Sequence, residues 1–224
     1  DERNKQYGKM GSNAGGQIGL YFKYGLGRHL SIVSNPSFQV NQFRYLTNYF
    51  WVDTLINLPV EREMLHQQKM NYITVPLSVR YDFTINQISP YAHLGPQLYF
   101  MQNAHKTIYF DDIIDGEVDI RNSKGTSGNV NAKKHFNHFN IGFLSGAGIS
   151  YYSNYFTISF ETNVSFGLRK IINDESRYKD YTGLTIPYFD VFDQLRIGNL
   201  GLQLTAIFPI DTSVKLSILK KSRN

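Results

Sequence analysis

Apolar and polar residues alternate along this chain over stretches longer than most strands of water-soluble proteins, and that alternation restricts it to extended, two-faced strands. In residues 16–26, Ile18, Leu20, Phe22, Tyr24 and Leu26 share one face, opposite Gln17, Gly19, Tyr21, Lys23 and Gly25. Residues 72–83 place Ile73, Val75, Leu77, Val79, Tyr81 and Phe83 opposite Tyr72, Thr74, Pro76, Ser78, Arg80 and Asp82. Residues 156–169 do the same with Phe156, Ile158, Phe160, Val164, Phe166 and Leu168. Weaker copies run over 30–44, 91–103, 138–152 and 195–208, which makes seven strands.

The polar face is built of Gly, Ser, Thr, Asn, Gln and Tyr with few charges, whereas the outer face of a soluble sandwich carries many Lys and Glu. Small and weakly polar side chains suit the crowded interior of a narrow barrel whose apolar face meets lipid. Composition agrees: 15% of the residues are aromatic and 18% charged, which favours pleated strands and argues against disorder. No run of about 18 apolar residues could cross a bilayer as a helix. The absence of cysteine excludes disulfides, thiol catalysis and cysteine-ligated zinc. A net charge of +5 spread along the chain argues against nucleic acid as a partner.

Connections alternate in length. Residues 27–29, 84–89 and 153–155 are tight turns, whereas 45–69, 104–137 and 170–194 are expected to be long polar loops, the second of them mobile. Short turns at one end and long loops at the other are the arrangement of outer-membrane barrels. The fold expected is therefore an all-β, antiparallel up-and-down transmembrane β-barrel of about eight strands. Residues 1–14 form a polar N-terminal segment, 15–210 the barrel, and 211–224 a tail or closing strand. The first clear strand enters from the long-loop side. Either a first strand is absent from this chain, or residues 212–220, where Val214, Leu216 and Ile218 alternate, close the barrel. The first alternative is preferred, because the second puts both termini at the loop end.

The segments "NYITVPLSVRYDFT" at 71–84 and "SPYAHLGPQLYF" at 89–100 resemble the PorT-like outer-membrane barrels of Bacteroidota. "FNIGFLSGAGISYY", "YFTISFETNVSFGLRKII" and "LRIGNLGLQLTAIF" continue that resemblance in order, so that it covers residues 15–208. It implies a role in protein export through a type IX secretion system, as a scaffold in a membrane complex. The alternatives are a stand-alone surface-binding barrel or, less favoured, a barrel enzyme.

Six charged or titratable residues fall on the polar face: Lys23, Arg80, Asp82, His93, Glu161 and Arg169. Charges inside a narrow barrel must be paired, so these are expected to form an interior network rather than an ion path. Tyr49, Phe50, Trp51, Leu55 and Ile56 are expected in a loop that docks a partner protein. Tyr151, Tyr152, Tyr155 and Phe156 are expected in an aromatic belt at the bilayer surface. His66, His105, Asp111 and Asp112, placed in loops, are the candidates for catalysis; loops of this length carry a few such residues by chance, and no catalytic residue is assigned. His135 and His138 are read as a solvated strand start, because three residues apart on a strand they face opposite ways. No cofactor or metal is expected, and the partners expected are outer-membrane lipid and other membrane proteins.

Overall fold

The computed structural model of the chain describes residues 6–7, 11–52, 59–83, 87–114, 117–118, 125–153, 155–173 and 195–208. Their architecture is one curled antiparallel sheet in which each strand pairs with the next in sequence. The first barrel strand comprises β1 (Gln6–Tyr7), β2 (Gly11–Gly19) and β3 (Phe22–Gly25), and the second β4 (Leu30–Ser34) and β5 (Ser37–Val52). The third comprises β6 (Pro59–Pro76) and β7 (Ser78–Asp82), and the fourth is β8 (Ile88–Ile114). Two short strands, β9 (Glu117–Val118) and β10 (Gly125–Asn131), pair with the far half of β8. The meander then continues through β11 (Phe139–Tyr152), β12 (Thr157–Gly167) and β13 (Gly198–Ile207).

Three interruptions divide the first three barrel strands at one level, and each has a covalent cause nearby. Pro36, Pro76 and Pro96 lack an N–H for the ladder, while their carbonyls remain available. Leu20 N–H donates to Pro36 O at 3.0 Å and Leu77 N–H to Pro96 O at 2.9 Å, so pairing resumes at once. A Cβ at Gly95 would run into the Leu77 carbonyl, so this bend requires glycine. Bends of this kind curl a sheet tightly enough to close on its own side chains. The curl brings the second and seventh strands together across the interior, where Asn35 Nδ2 donates to Gln203 Oε1 at 3.0 Å.

The outward face carries Ile18, Leu20, Phe22, Ile73, Leu77, Val79, Leu94, Phe100, Phe143, Phe160, Phe166, Leu202 and Leu204, all exposed. On β8 this apolar belt runs from Ile88 to Phe100. About 12 steps of ~3.3 Å, foreshortened by a tilt of ~40°, give roughly 30 Å, the thickness of a bilayer core.

Two loops expected from the sequence are strands. β5 and β6 pair without a break from Ser37↔Thr74 to Val52↔Pro59, through the whole of 45–52 and 59–69. β8 likewise continues to Ile114 and is flanked by β6 and β10, so much of 104–137 is ladder rather than a mobile loop. A bulge separates the two halves of β8: Asn71 pairs with Asn103 but Tyr72 with Met101. The extra residue reverses the facing of the strand, so Tyr99 and Met101 point inward below it, and Ala104, Lys106 and Ile108 above it.

Among the described residues, and leaving aside the short strands β9 and β10 of the extension, the barrel wall has two edges, the first barrel strand and β13. Both run toward the short-turn end, so one strand of opposite direction would close an all-antiparallel barrel. Unpaired backbone groups are not tolerated in hydrocarbon, which makes that eighth strand a physical requirement. Residues 212–220, the less favoured of the two alternatives for that strand, lie outside the described residues.

Candidate functional site: a filled lumen and a closed mouth

The inward side chains at the short-turn end meet as one network. Arg80 is 1% exposed and donates through Nε (3.1 Å) and Nη2 (2.7 Å) to Asp82 Oδ1. The same guanidinium donates to Ser150 Oγ at 2.7 Å and Tyr21 OH at 3.1 Å, and lies 3.4 Å from the centre of the Tyr91 ring. Lys23 Nζ, from the first strand, reaches Asp82 Oδ2 at 2.9 Å and Tyr152 OH at 3.1 Å. Tyr91 OH donates to Glu161 Oε2 at 2.6 Å, and His93 Nε2 lies 3.6 Å from the same oxygen, beyond hydrogen-bond range. Two cations and two carboxylates thus share the lower lumen. Opposed charges with hydrogen bonds to their remaining donors and acceptors are the condition under which burial of ions is tolerated.

Local sequence positions each member. Arg80 and Asp82 are two apart on β7 and therefore share a face, and β8 brings Tyr91 and His93 alongside, with Arg80 opposite His93. The imidazole of His93 packs where a Cβ on Gly146 would stand, so glycine at 146 gives the ring its room. Lys23, Arg80, Asp82, His93 and Glu161 are therefore together in the lumen. Arg169 is not: it follows the end of β12 and is exposed at the opposite mouth. The alternation that placed it inside ends at Gly167, where the ladder stops.

The long-loop mouth is closed by an apolar layer. Met70, Tyr72, Tyr99, Met101, Ala104, Ala132, Phe136, Ile171, Ile172 and Ile197 form one buried cluster. Phe136 follows a single 3-10 turn (Lys133–His135) and bridges to Ile172. Asn137 clamps the crossing chain, with its N–H to Ile171 O (2.7 Å) and its Nδ2 to Lys170 O (3.0 Å) and Ile172 O (2.9 Å). Asn140 Nδ2 donates to Arg169 O at 2.9 Å and its Oδ1 accepts from Arg169 N–H at 3.2 Å. These bonds hold the cap's backbone over the lumen.

Beyond the cap, the extended sheet has a second buried polar group. Lys106 Nζ donates to Tyr45 OH at 2.8 Å, Tyr45 stacks on His66 with centroids 4.4 Å apart, and His66 Nε2 meets Thr47 Oγ1 at 2.7 Å. Nothing in the sequence singled out Lys106 or Thr47, because the relevant signal is the cross-strand register.

Chemically, the lumen binds its own side chains. Ser150 Oγ accepts from Arg80 and lies 2.7 Å from Ser159 Oγ, and among the described residues neither hydroxyl meets a base that could take its proton. His66 is buried, whereas His105, on the other phase of β8, is only partly buried, so the two point to opposite faces. Asp111 and Asp112 sit on β8 opposite Glu63 and Arg62. Tyr49, Phe50 and Trp51 lie on β5 in the ladder with β6 rather than in a loop, and Leu55 and Ile56 lie outside the described residues. Of the expected aromatic belt, Tyr151 and Tyr155 are exposed, but Tyr152 turns inward to Lys23 and Arg80. His135 ends the 3-10 turn and His138 is exposed just before β11.

An outward apolar belt, a lumen of paired polar groups, short turns at one end and extended strands at the other define a small outer-membrane β-barrel. The comparison with known families agrees, for residues 1–173 match the outer membrane protein beta-barrel domain. The chain belongs to that family, and its place is the bacterial outer membrane. No curated protein matches it.

Lipid contact gives a direct prediction. Leu94 is 61% exposed and stands midway along the apolar belt of β8. Leu94→Arg is expected to lower stability in lipid vesicles by about 2–4 kcal/mol, measured by urea titration, because the charge enters the bilayer midplane. Gln67→Arg, which adds the same charge on the polar extension, is expected to change stability by less than about 1 kcal/mol.

Proposed function

We propose that this barrel is a non-enzymatic component of a protein secretion or assembly machinery in the outer membrane, of the type IX kind that its resemblance to PorT-like barrels implies. One observation carries the reading: the lumen is occupied by its own side chains and capped by an apolar layer, while the second to fourth strands continue past the belt as a paired sheet. A filled, capped barrel offers no wide path for cargo. Its working surface is then the extension, which presents strand backbone and polar side chains outside the lipid. Affinity purification of the full-length protein from native membranes in mild detergent is the test. A stoichiometric protein partner is expected, and a lone monomer at every detergent tested would remove this reading.

The second reading, a stand-alone surface-binding barrel, is favoured by β10, which pairs with β8 along one side only among the described residues. An edge of this kind can accept an added strand from an external ligand. A monomer that binds a host or matrix surface would select it.

A further inference from the structure

Above the bilayer, the outward face of the extension is striped across β5, β6 and β8. Going away from the membrane, Lys69 stands in one outward row and Arg44 in the next, both exposed. The third row is apolar, with Leu46 opposite Leu65 and Leu65 opposite Tyr109, which is 43% exposed. In the fourth row Glu63 is the ladder partner of Asp111, and Glu61 holds the fifth. The order is therefore basic, apolar, acidic. Leu65 lies eight residues above Ile73, the top of the apolar belt on its strand. Eight steps are about 26 Å of strand, or roughly 20 Å along the barrel axis, so lipid chains do not reach this second apolar row.

A second copy of the chain matches this stripe in one orientation. Two sheets stacked face to face about a two-fold axis present the same surface to each other. With the axis along the membrane normal, as for two barrels in one membrane, every row meets itself, so Lys69 faces Lys69 and Glu61 faces Glu61. With the axis in the membrane plane along the Leu65 row, heights invert. The apolar row still meets itself, but Lys69, two rows below it, meets Glu61, two rows above, and the row of Arg44 meets the row of Glu63. The two barrels then point at each other from facing membranes. The area suffices, because the extension is five strands wide, from β1 and β2 through β5, β6 and β8 to β10. Five strands of ~4.8 Å and about nine residues of ~3.3 Å give roughly 700 Å² per copy, near the ~800 Å² of a standard stable interface.

We propose that the outward face of the extension binds the same face of a second copy anchored in a facing membrane. This rests on the reading that the extension is the working surface, and it gives the surface-binding alternative its ligand. The symmetry of the stripe selects the occupant. Lys69 and Glu61 stand four residues on either side of Leu65 on one strand, a spacing that an inverted copy requires and an unrelated partner does not. Like charges facing at each row count against the side-by-side pair. Opposed charges beside an apolar strip fix orientation and register, while the strip itself supplies the area removed from water.

The test places the full-length protein in two populations of phospholipid vesicles, each with its own fluorescent lipid, and reads clustering as energy transfer between them. Vesicles bearing the protein are expected to cluster with each other and not with protein-free ones. Lys69→Glu and Glu61→Lys are each expected to slow clustering among their own kind at least about tenfold, since the two-fold axis creates two like-charged contacts at once (~10-fold corresponding to 1.4 kcal/mol). Vesicles of one variant mixed with vesicles of the other regain both opposed contacts, and most of the original rate is expected to return. Dispersed vesicles with the unaltered protein, or a mixture as slow as either variant alone, would overturn the proposal. Should a variant fail to give the folded band on an unheated gel, Leu65→Cys decides, for the chain has no other thiol. A short bis-maleimide is expected to join tagged and untagged copies from different vesicles, and links confined to copies within one vesicle contradict the proposal. Failure here is distinct from failure of the secretion reading, which would still stand on a different protein co-purifying from native membranes.

Discussion

Arg80→Met is expected to destabilise the folded barrel by about 3–5 kcal/mol, the largest effect of any single substitution in the lower lumen. The guanidinium is 1% exposed and satisfies Asp82, Ser150 and Tyr21 at once. Methionine fills similar volume but leaves the Asp82 carboxylate with Lys23 and Tyr152 only. Urea unfolding in lipid vesicles measures the loss. The double variant Arg80→Met/Asp82→Leu removes one cation and one anion together and is expected to recover most of it. A double variant as unstable as the single one would mean that Arg80 acts through packing against Tyr91 rather than through its charge.

Phe136→Ala is expected to cost a further about 3–5 kcal/mol by the same measurement, because its ring is 2% exposed within the apolar layer that closes the mouth. This substitution also tests the layer as a seal. The chain has no cysteine, so Ser78→Cys introduces a single thiol on the buried wall below the cap. A membrane-impermeant thiol reagent added outside is expected to label it slowly, and at least tenfold faster once Phe136 is alanine (~10-fold corresponding to 1.4 kcal/mol of opening). Equal labelling rates would show that closure lies elsewhere.

How much of this was legible in the sequence follows from where the two faces of a strand differ. Within the bilayer one face is apolar and the other polar, so Ile73 to Phe83 and Phe156 to Leu168 announced their strands and facing directly. Above the bilayer the contrast disappears. On β6, Gln67 and Lys69 face outward while His66 and Gln68 are buried, so both faces read as polar and the ladder looked like a loop. The bulge between Met101 and Asn103 then reversed the phase of β8 and hid Lys106 as an inward residue. Lys23, Arg80, Asp82 and Glu161 were readable as inward because alternation alone sets their face. Their pairing was not, since it depends on registers between strands, such as Arg80↔His93, that no local pattern encodes. Arg169 was misplaced because alternation in its side chains outlasts the ladder by two residues.

That the work of this barrel is done at its rim and extension, and not through its lumen, is tested most directly by current recording on the full-length protein in planar bilayers. A filled lumen under an apolar cap predicts insertion with no stepwise conductance across the voltage range that bilayers withstand. Regular open-channel steps from the unaltered protein would contradict it.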